Sequence, residues 1–213
     1  MIFEQIPLGG NRNFGYLFGD PDSGIAIAFD PAYVPKKFEA RAKELGLEIR
    51  FIANTHSDPD HVNGNERLQK RTGAQVWIHE ASKFKGARLL RDGEAARVGS
   101  TELLTIHTPG HTPDSVCFLL NDTTLVSGDT LFVGKVGGTG TDEAARQEYD
   151  SLQRLMKLPD HVTVWPGHDF GVRPSSTIGE ERRTNPFLIQ PDFDSFLHLK
   201  KNWLAYKEEH GIA

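Results

Sequence analysis

Phe51-Ile-Ala-Asn-Thr-His-Ser-Asp-Pro-Asp-His61 passes from apolar residues straight into two histidines and two aspartates. An apolar stretch closed by turn-forming polar residues reads as a strand that delivers side chains at its open end. Three further stretches repeat the pattern: Thr105-Ile-His-Thr-Pro-Gly-His111, Leu125-Val-Ser-Gly-Asp129 and Val162-Thr-Val-Trp-Pro-Gly-His168. Neutral imidazoles and carboxylates are donors for divalent cations. One Gly-His pair would be ordinary loop polarity. Four strand ends carrying His56, Asp58, Asp60, His61, His111, Asp129 and His168 are enough for two adjacent ions.

Spacing inside the first cluster carries its own expectation. His56, Asp58 and Asp60 alternate, so an extended segment would place them on one face. Pro59 restrains Asp58 to extended backbone. Asp60 and His61 are neighbours and can turn toward a different ion. A helix is expected next, because Val62 and Leu68 are apolar amid Asn65, Glu66, Arg67 and Gln69.

Composition narrows the function classes. At 213 residues with 38% hydrophobic content, the chain is long enough for one domain with a substantial core. A net charge of -5 argues against the basic surface that nucleic-acid binding requires. No apolar run reaches the length of a membrane span, and Met1-Ile-Phe-Glu lacks the layout of a signal peptide. The lone Cys117 lies in the apolar stretch Ser115–Leu120, where a buried structural thiol is expected, not a nucleophile. A cytoplasmic location is the resulting expectation, with a small molecule as partner and no membrane.

The remaining pattern alternates strands and helices. Strands are expected at Ile25–Phe29, Ile49–Ile52, Gln75–Ile78, Leu103–Ile106, Val116–Leu120, Thr124–Val126 and Val162–Trp165. Pro35 opens a helix with Phe38, Ala42 and Leu45 on one face, ended by Gly46. Asp142 is expected to cap a helix whose stripe is Ala145, Tyr149, Leu152 and Met156. From about residue 192, Phe196, Leu199, Trp203 and Tyr206 repeat at helical spacing, which predicts one docked terminal helix. His79, His107, His161, His198 and His210 read as surface or loop histidines; on a strand, His107 lies roughly 13 Å from His111.

Thr55-His-Ser-Asp-Pro-Asp-His61, Gly110-His111, Gly128-Asp-Thr-Leu-Phe132 and Pro166-Gly-His168, in that order, resemble the metallo-β-lactamase-fold hydrolases. Within them the chain is most similar to the glyoxalase II and persulfide dioxygenase branch. The likeness runs from Asn13–Leu17 and Asp30-Pro31 to Thr184–Phe187. It implies an α/β fold, a four-layer αββα sandwich. It also implies that His56, the residue at 58 and His111 hold one ion. Asp60, His61 and His168 would hold the second, with Asp129 bridging. The family usually has histidine where this chain has Asp58. A carboxylate makes that group harder and more anionic, so iron or manganese is expected alongside zinc.

Two such cations would share a bridging hydroxide that attacks a carbonyl, with Asp60 as ligand and proton acceptor. A small thioester or ester, such as an acylated thiol, is the expected substrate. Relatives of the glyoxalase II type carry a basic residue at the position of Gly138 and tyrosine at that of Phe170, and this chain has neither. Lys135, Phe170 and Arg173 are the candidate substrate contacts. Two alternatives stay open: an iron persulfide dioxygenase using His56, His111 and Asp129, and a metal-stabilised binding module without turnover.

Overall fold

The computed structural model describes residues 1–211. Its first half is a six-stranded sheet in the order β1 (Ile2–Gly9), β2 (Asn13–Asp20), β3 (Ile25–Phe29), β4 (Glu48–Ala53), β5 (Gln75–His79) and β6 (Arg88–Leu90). β1 to β3 form an antiparallel meander, whereas β3 to β6 run parallel. Parallel neighbours need crossovers. These are α1 (Pro35–Glu44) between β3 and β4, then α2 (Pro59–Val62) and α3 (Asn65–Thr72) between β4 and β5.

The second sheet contains β7 (Ala95–Val98), β8 (Thr101–His107), β9 (Val116–Leu120) and β10 (Thr124–Gly128) as an antiparallel meander. A short hairpin follows, β11 (Leu131–Phe132) with β12 (Lys135–Val136), then α4 (Asp142–Leu155). α4 returns the chain to β13 (Thr163–Pro166), parallel to β10, and β14 (Ser176–Thr177) closes that edge. α5 (Ile178–Thr184), α6 (Phe193–Lys201) and α7 (Trp203–His210) complete the described chain.

Period-two alternation decides the layering. Tyr16, Phe18, Ile27, Phe29, Ala53 and Trp77 face Leu103, Val116, Phe118, Leu120 and Val126 of the other sheet. The opposite face of the first sheet, with Leu17, Ala26, Ala28, Ile52 and Val76, packs against Phe38 and Ala42 of α1 and Leu68 of α3. The outer face of the second sheet, including Cys117, Leu119, Leu125 and Val164, receives Leu152 and Leu155 of α4 and Phe196 and Leu199 of α6. Helices, sheet, sheet, helices: the expected four-layer αββα sandwich is the architecture. Among the described residues, no helix is long and apolar enough to cross a membrane.

Local details correct some expectations. The segment at 56–61 is extended only as far as Asp58 (φ -62°, ψ 141°), and Pro59 then starts the turn of α2. Proline suits a first helical position because its missing N–H is not needed there. The turn sends Asp60 and His61 away from Asp58. Thr141, not Asp142, caps α4, its hydroxyl accepting from the Ala144 N–H. On α4 the buried face includes Glu148 and Ser151, whereas Tyr149 and Met156 are only partly covered. The terminal helical stretch breaks at Asn202 into α6 and α7. Cys117 is buried as expected, and burial pushes its thiol up to about 11.

Candidate metal centre

Parallel pairing aligns the carboxyl ends of β3, β4 and β5 in one sheet and of β10 and β13 in the other. In open α/β sheets that edge is where ligands bind. Here it gathers all seven donors expected from sequence. His56 Nε2 and His111 Nε2 lie 3.7 and 3.4 Å from Asp58 Oδ2. His61 Nε2 and His168 Nε2 lie 3.8 and 3.5 Å from Asp60 Oδ2. Asp129 stands between the two groups, with Oδ1 3.5 Å from His61 Nε2. Its Oδ2 is 3.2 Å from His168 Nε2 and 3.7 Å from His111 Nε2. Donors on a tetrahedral cation with bonds of 2.0–2.1 Å are spaced roughly 3.3 Å apart.

The four imidazoles are held by their rear nitrogens. His61 Nδ1 is 3.0 Å from Asp30 Oδ2, His111 Nδ1 2.8 Å from the Gly138 carbonyl, and His168 Nδ1 2.8 Å from the Asn11 carbonyl. Carboxylates and carbonyls only accept, so Nδ1 carries a proton and Nε2 is left to face the cleft. His56 Nδ1 is 3.0 Å from Thr55 Oγ1, whose hydroxyl donates to Asp30 Oδ2 at 2.6 Å. That hydroxyl therefore accepts from His56. His56 Nε2 and His111 Nε2 aim into the cleft with unused lone pairs.

Whether cations fit is decided by what those lone pairs lack. His56 Nε2, His111 Nε2 and Asp129 Oδ1 are buried and have no hydrogen-bond partner among the described residues. Leaving such atoms unmet is costly unless something else binds them. His61 Nε2 and His168 Nε2 face each other at 3.3 Å, so a proton or a cation must lie between them. Burial would lower His61, but the bond to Asp30 and the charges of Asp30, Asp129 and Asp60 hold it up to about 9. Burial and the His61 charge push His56 down to about 4, so it stays neutral. Burial would raise Asp129, yet its bond to His168 and the surrounding imidazoles keep it well below the usual carboxylate range. Three groups satisfy the geometry for a cation: His56, Asp58 and His111; His56, His61 and Asp129; and Asp60, His61 and His168. The donor set fits divalent metals.

Several supporting residues had no role assigned from the sequence. Asp30, buried at the end of β3, accepts from the Thr55 N–H (2.9 Å), the Thr55 hydroxyl and Asn54 Nδ2 (3.2 Å). It thereby orients one histidine directly and another through Thr55. Asn13 donates to Asp60 Oδ2 at 2.9 Å and to the Asp60 carbonyl at 3.2 Å. A Cβ on Gly167 would lie 2.2 Å from Asp129 Oδ1, so only glycine lets the chain after β13 close against Asp129. Asp30-Pro31 and Asn13 stood out only as family resemblance; nothing local gave them a role.

Beside the donors, Phe170 stacks on the His168 ring with centroids 4.7 Å apart. The Arg12 guanidinium and Lys135 Nζ lie 5.0 and 4.8 Å from the Phe170 centroid. Burial, Lys207 and Arg12 depress the Lys135 ammonium while Asp129 opposes them. Arg173, the other candidate contact, is committed elsewhere: its guanidinium pairs with Glu180 and donates to Ser176 Oγ at 3.3 Å. His79 stacks on His107, centroids 3.9 Å apart, and neither joins a ligand group.

Residues 19–168 match the profile of the Metallo-beta-lactamase superfamily. The chain belongs to this superfamily. It is similar to the mitochondrial persulfide dioxygenase ETHE1 of Homo sapiens, 35% identical over 192 residues, which cover 88% of this chain and 74% of that protein. It is also similar to the hydroxyacylglutathione hydrolase of Polaromonas sp., 36% identical over 178 residues, covering 80% and 67%. The crystal structure of ETHE1 from Myxococcus xanthus superposes with a TM-score of 0.89 at 34% identity, over 95% of this chain and 91% of that one. These relatives place this metallo-β-lactamase superfamily member in the glyoxalase II and persulfide dioxygenase branch.

Proposed function

We propose that this chain is a dinuclear metallohydrolase of a small thioester or ester, resembling hydroxyacylglutathione hydrolases. The observation that carries the reading is Asp129, whose carboxylate reaches histidines of two otherwise complete donor groups. Two divalent cations held there, zinc or iron with manganese also suited, would lower the proton affinity of water and polarise a carbonyl. His56, Asp58 and His111 are assigned to one ion; Asp60, His61 and His168 to the other. The rear-nitrogen bonds fix the imidazoles before substrate arrives, so little reorganisation opposes the reaction. Asp60 is the proposed proton acceptor, oriented by Asn13 and one-third exposed at the cleft.

Substrate contacts follow from the cations around Phe170. Arg12 and Lys135, which pair with no carboxylate among the described residues, suit an anionic group on the thiol portion of the substrate. A small thiol conjugate is therefore the proposed partner, and the cytoplasm the proposed location. Arg12→Gln with Lys135→Gln should raise KM for an anionic acyl thiol about tenfold or more and leave a neutral ester unchanged. Equal effects on both substrates would refute that assignment.

A persulfide dioxygenase is the second reading, favoured by the 35% identity to the human enzyme and by His56, His111 and Asp129 as a two-histidine, one-carboxylate set. Anaerobically purified protein, with its metals quantified, separates the two. Thiol release from S-lactoylglutathione supports the hydrolase, whereas oxygen uptake with glutathione persulfide supports the dioxygenase. Silence on both, with metal bound, would leave a binding module.

A further inference from the structure

The glycine-rich loop after β12 is where His111 finds its acceptor. Gly138 takes the His111 Nδ1–H at 2.8 Å, and the neighbouring Gly137 carbonyl accepts from Lys200 Nζ at 2.7 Å. Lys200 belongs to α6, far along the chain and on the outer helical layer. Its ammonium also pairs with Glu148 of α4, a carboxylate with no exposure at all. Glu148 Oε1 is buried without a hydrogen bond.

The packing around this pair is close. A Cβ placed on Gly137 would lie 2.2 Å from the Asp129 carbonyl, 2.9 Å from Glu148 Oε1 and 3.2 Å from His111 Cβ. A Cβ on Gly110 would lie 2.3 Å from Glu148 Cβ. Glu148 thus underlies both the Gly110-His111 turn and the loop that anchors His111. Burying an ion pair this deeply costs desolvation that simple core packing would avoid.

We propose that Lys200 and Glu148 are positioning residues for the donor group of His111: they clamp the Gly137–Gly138 backbone and make α6 part of the metal centre. His56, His61 and His168 take their anchors from Thr55, Asp30 and Asn11, so of the four imidazoles the clamp acts on that of His111. The inference rests on the two-group reading above but not on any activity. Loss of a partner behind a ligating histidine lowers metal affinity roughly 10–100-fold, and that sets the expected size.

Co2+ binding by the full chain, stripped with chelator and titrated while following its d–d bands, is the test. Lys200→Met should weaken one equivalent at least tenfold and leave the other within twofold. Lys200→Arg, which keeps a charged donor for Gly137, should recover most of the loss. In a His111→Ala background, Lys200→Met should add nothing further. Equal weakening of both equivalents, or an undiminished effect without His111, overturns the proposal. Circular dichroism of each stripped variant accompanies the titration. Should Lys200→Met lose its native signal, Lys200→Gln, an uncharged donor, is read by the same criteria. A parent that binds a single Co2+ would sink the two-ion reading, while the cycle between His111 and Lys200 still decides this one.

Discussion

Asp129 and Asp58 carry most of the chemical individuality of the site. Asp129 faces His61, His168 and His111 together, so Asp129→Ala should damage both donor groups at once. Elemental analysis should show metal content well below the parent's, with affinity down by more than the roughly 10–100-fold cost of losing an outer partner. Comparable occupancy would remove Asp129 from the proposed bridging role. Asp58 places an anion 3.4 Å from His111 Nε2, where the family usually has imidazole. Asp58→His should shift the metal taken up from mixed medium toward zinc; an unchanged iron-to-zinc ratio counts against the hardness argument. The convergence of these seven side chains was legible in sequence because few residue types ligate metals and all seven close strand-like runs. Their anchors were not legible. The carbonyls of Asn11 and Gly138 belong to no chemical type, and His168 meets Asn11 across 157 positions. Asp30 carries a side chain that could have been noticed, but its role depends on β3 lying beside β4.

At the scale of elements, apolar periodicity located α1 and α4, which each pack one face against a neighbour, and apolar runs located β4, β9 and β10, which are packed on both faces. It failed where local chemistry competes. Thr141 and Asp142 are both good caps, and only the backbone entering α4 selects the threonine. A continuous apolar repeat suggested one terminal helix, but Asn202 interrupts it, and α7 buries no residue fully. The two helices should therefore differ energetically. Phe196, fully buried against the second sheet, should cost about 3–5 kcal/mol when replaced by alanine. Leu204, 73% exposed on α7, should cost within about 0.5 kcal/mol when replaced by serine. Denaturant titration of both variants checks the contrast; equal losses would contradict the packing described. Short edge strands such as β6 and β14 had too few residues to show any period.

For the whole molecule, the four-layer order was implied by family resemblance, and the alternating faces of β2, β3 and β9 supply its physical basis. Cations bound at this edge would link protein stability to their concentration. A site filled at 1,000 times its dissociation constant adds about 4 kcal/mol to the folded state. Each kcal/mol is worth about 2–4 °C of Tm in a chain of this size. Calorimetry of chelated and metal-loaded protein should therefore differ by roughly 10 °C or more, and coincident transitions would show that the cleft adds nothing to stability.

His56 and His61 follow a strand of the amino-terminal sheet, whereas His111, Asp129 and His168 follow strands of the other. Neither half alone offers a complete cage. In refolding from denaturant, capture of Co2+ would then act as a clock for the meeting of the halves. Its colour should never precede the change in fluorescence of Trp77, which is enclosed at their common face.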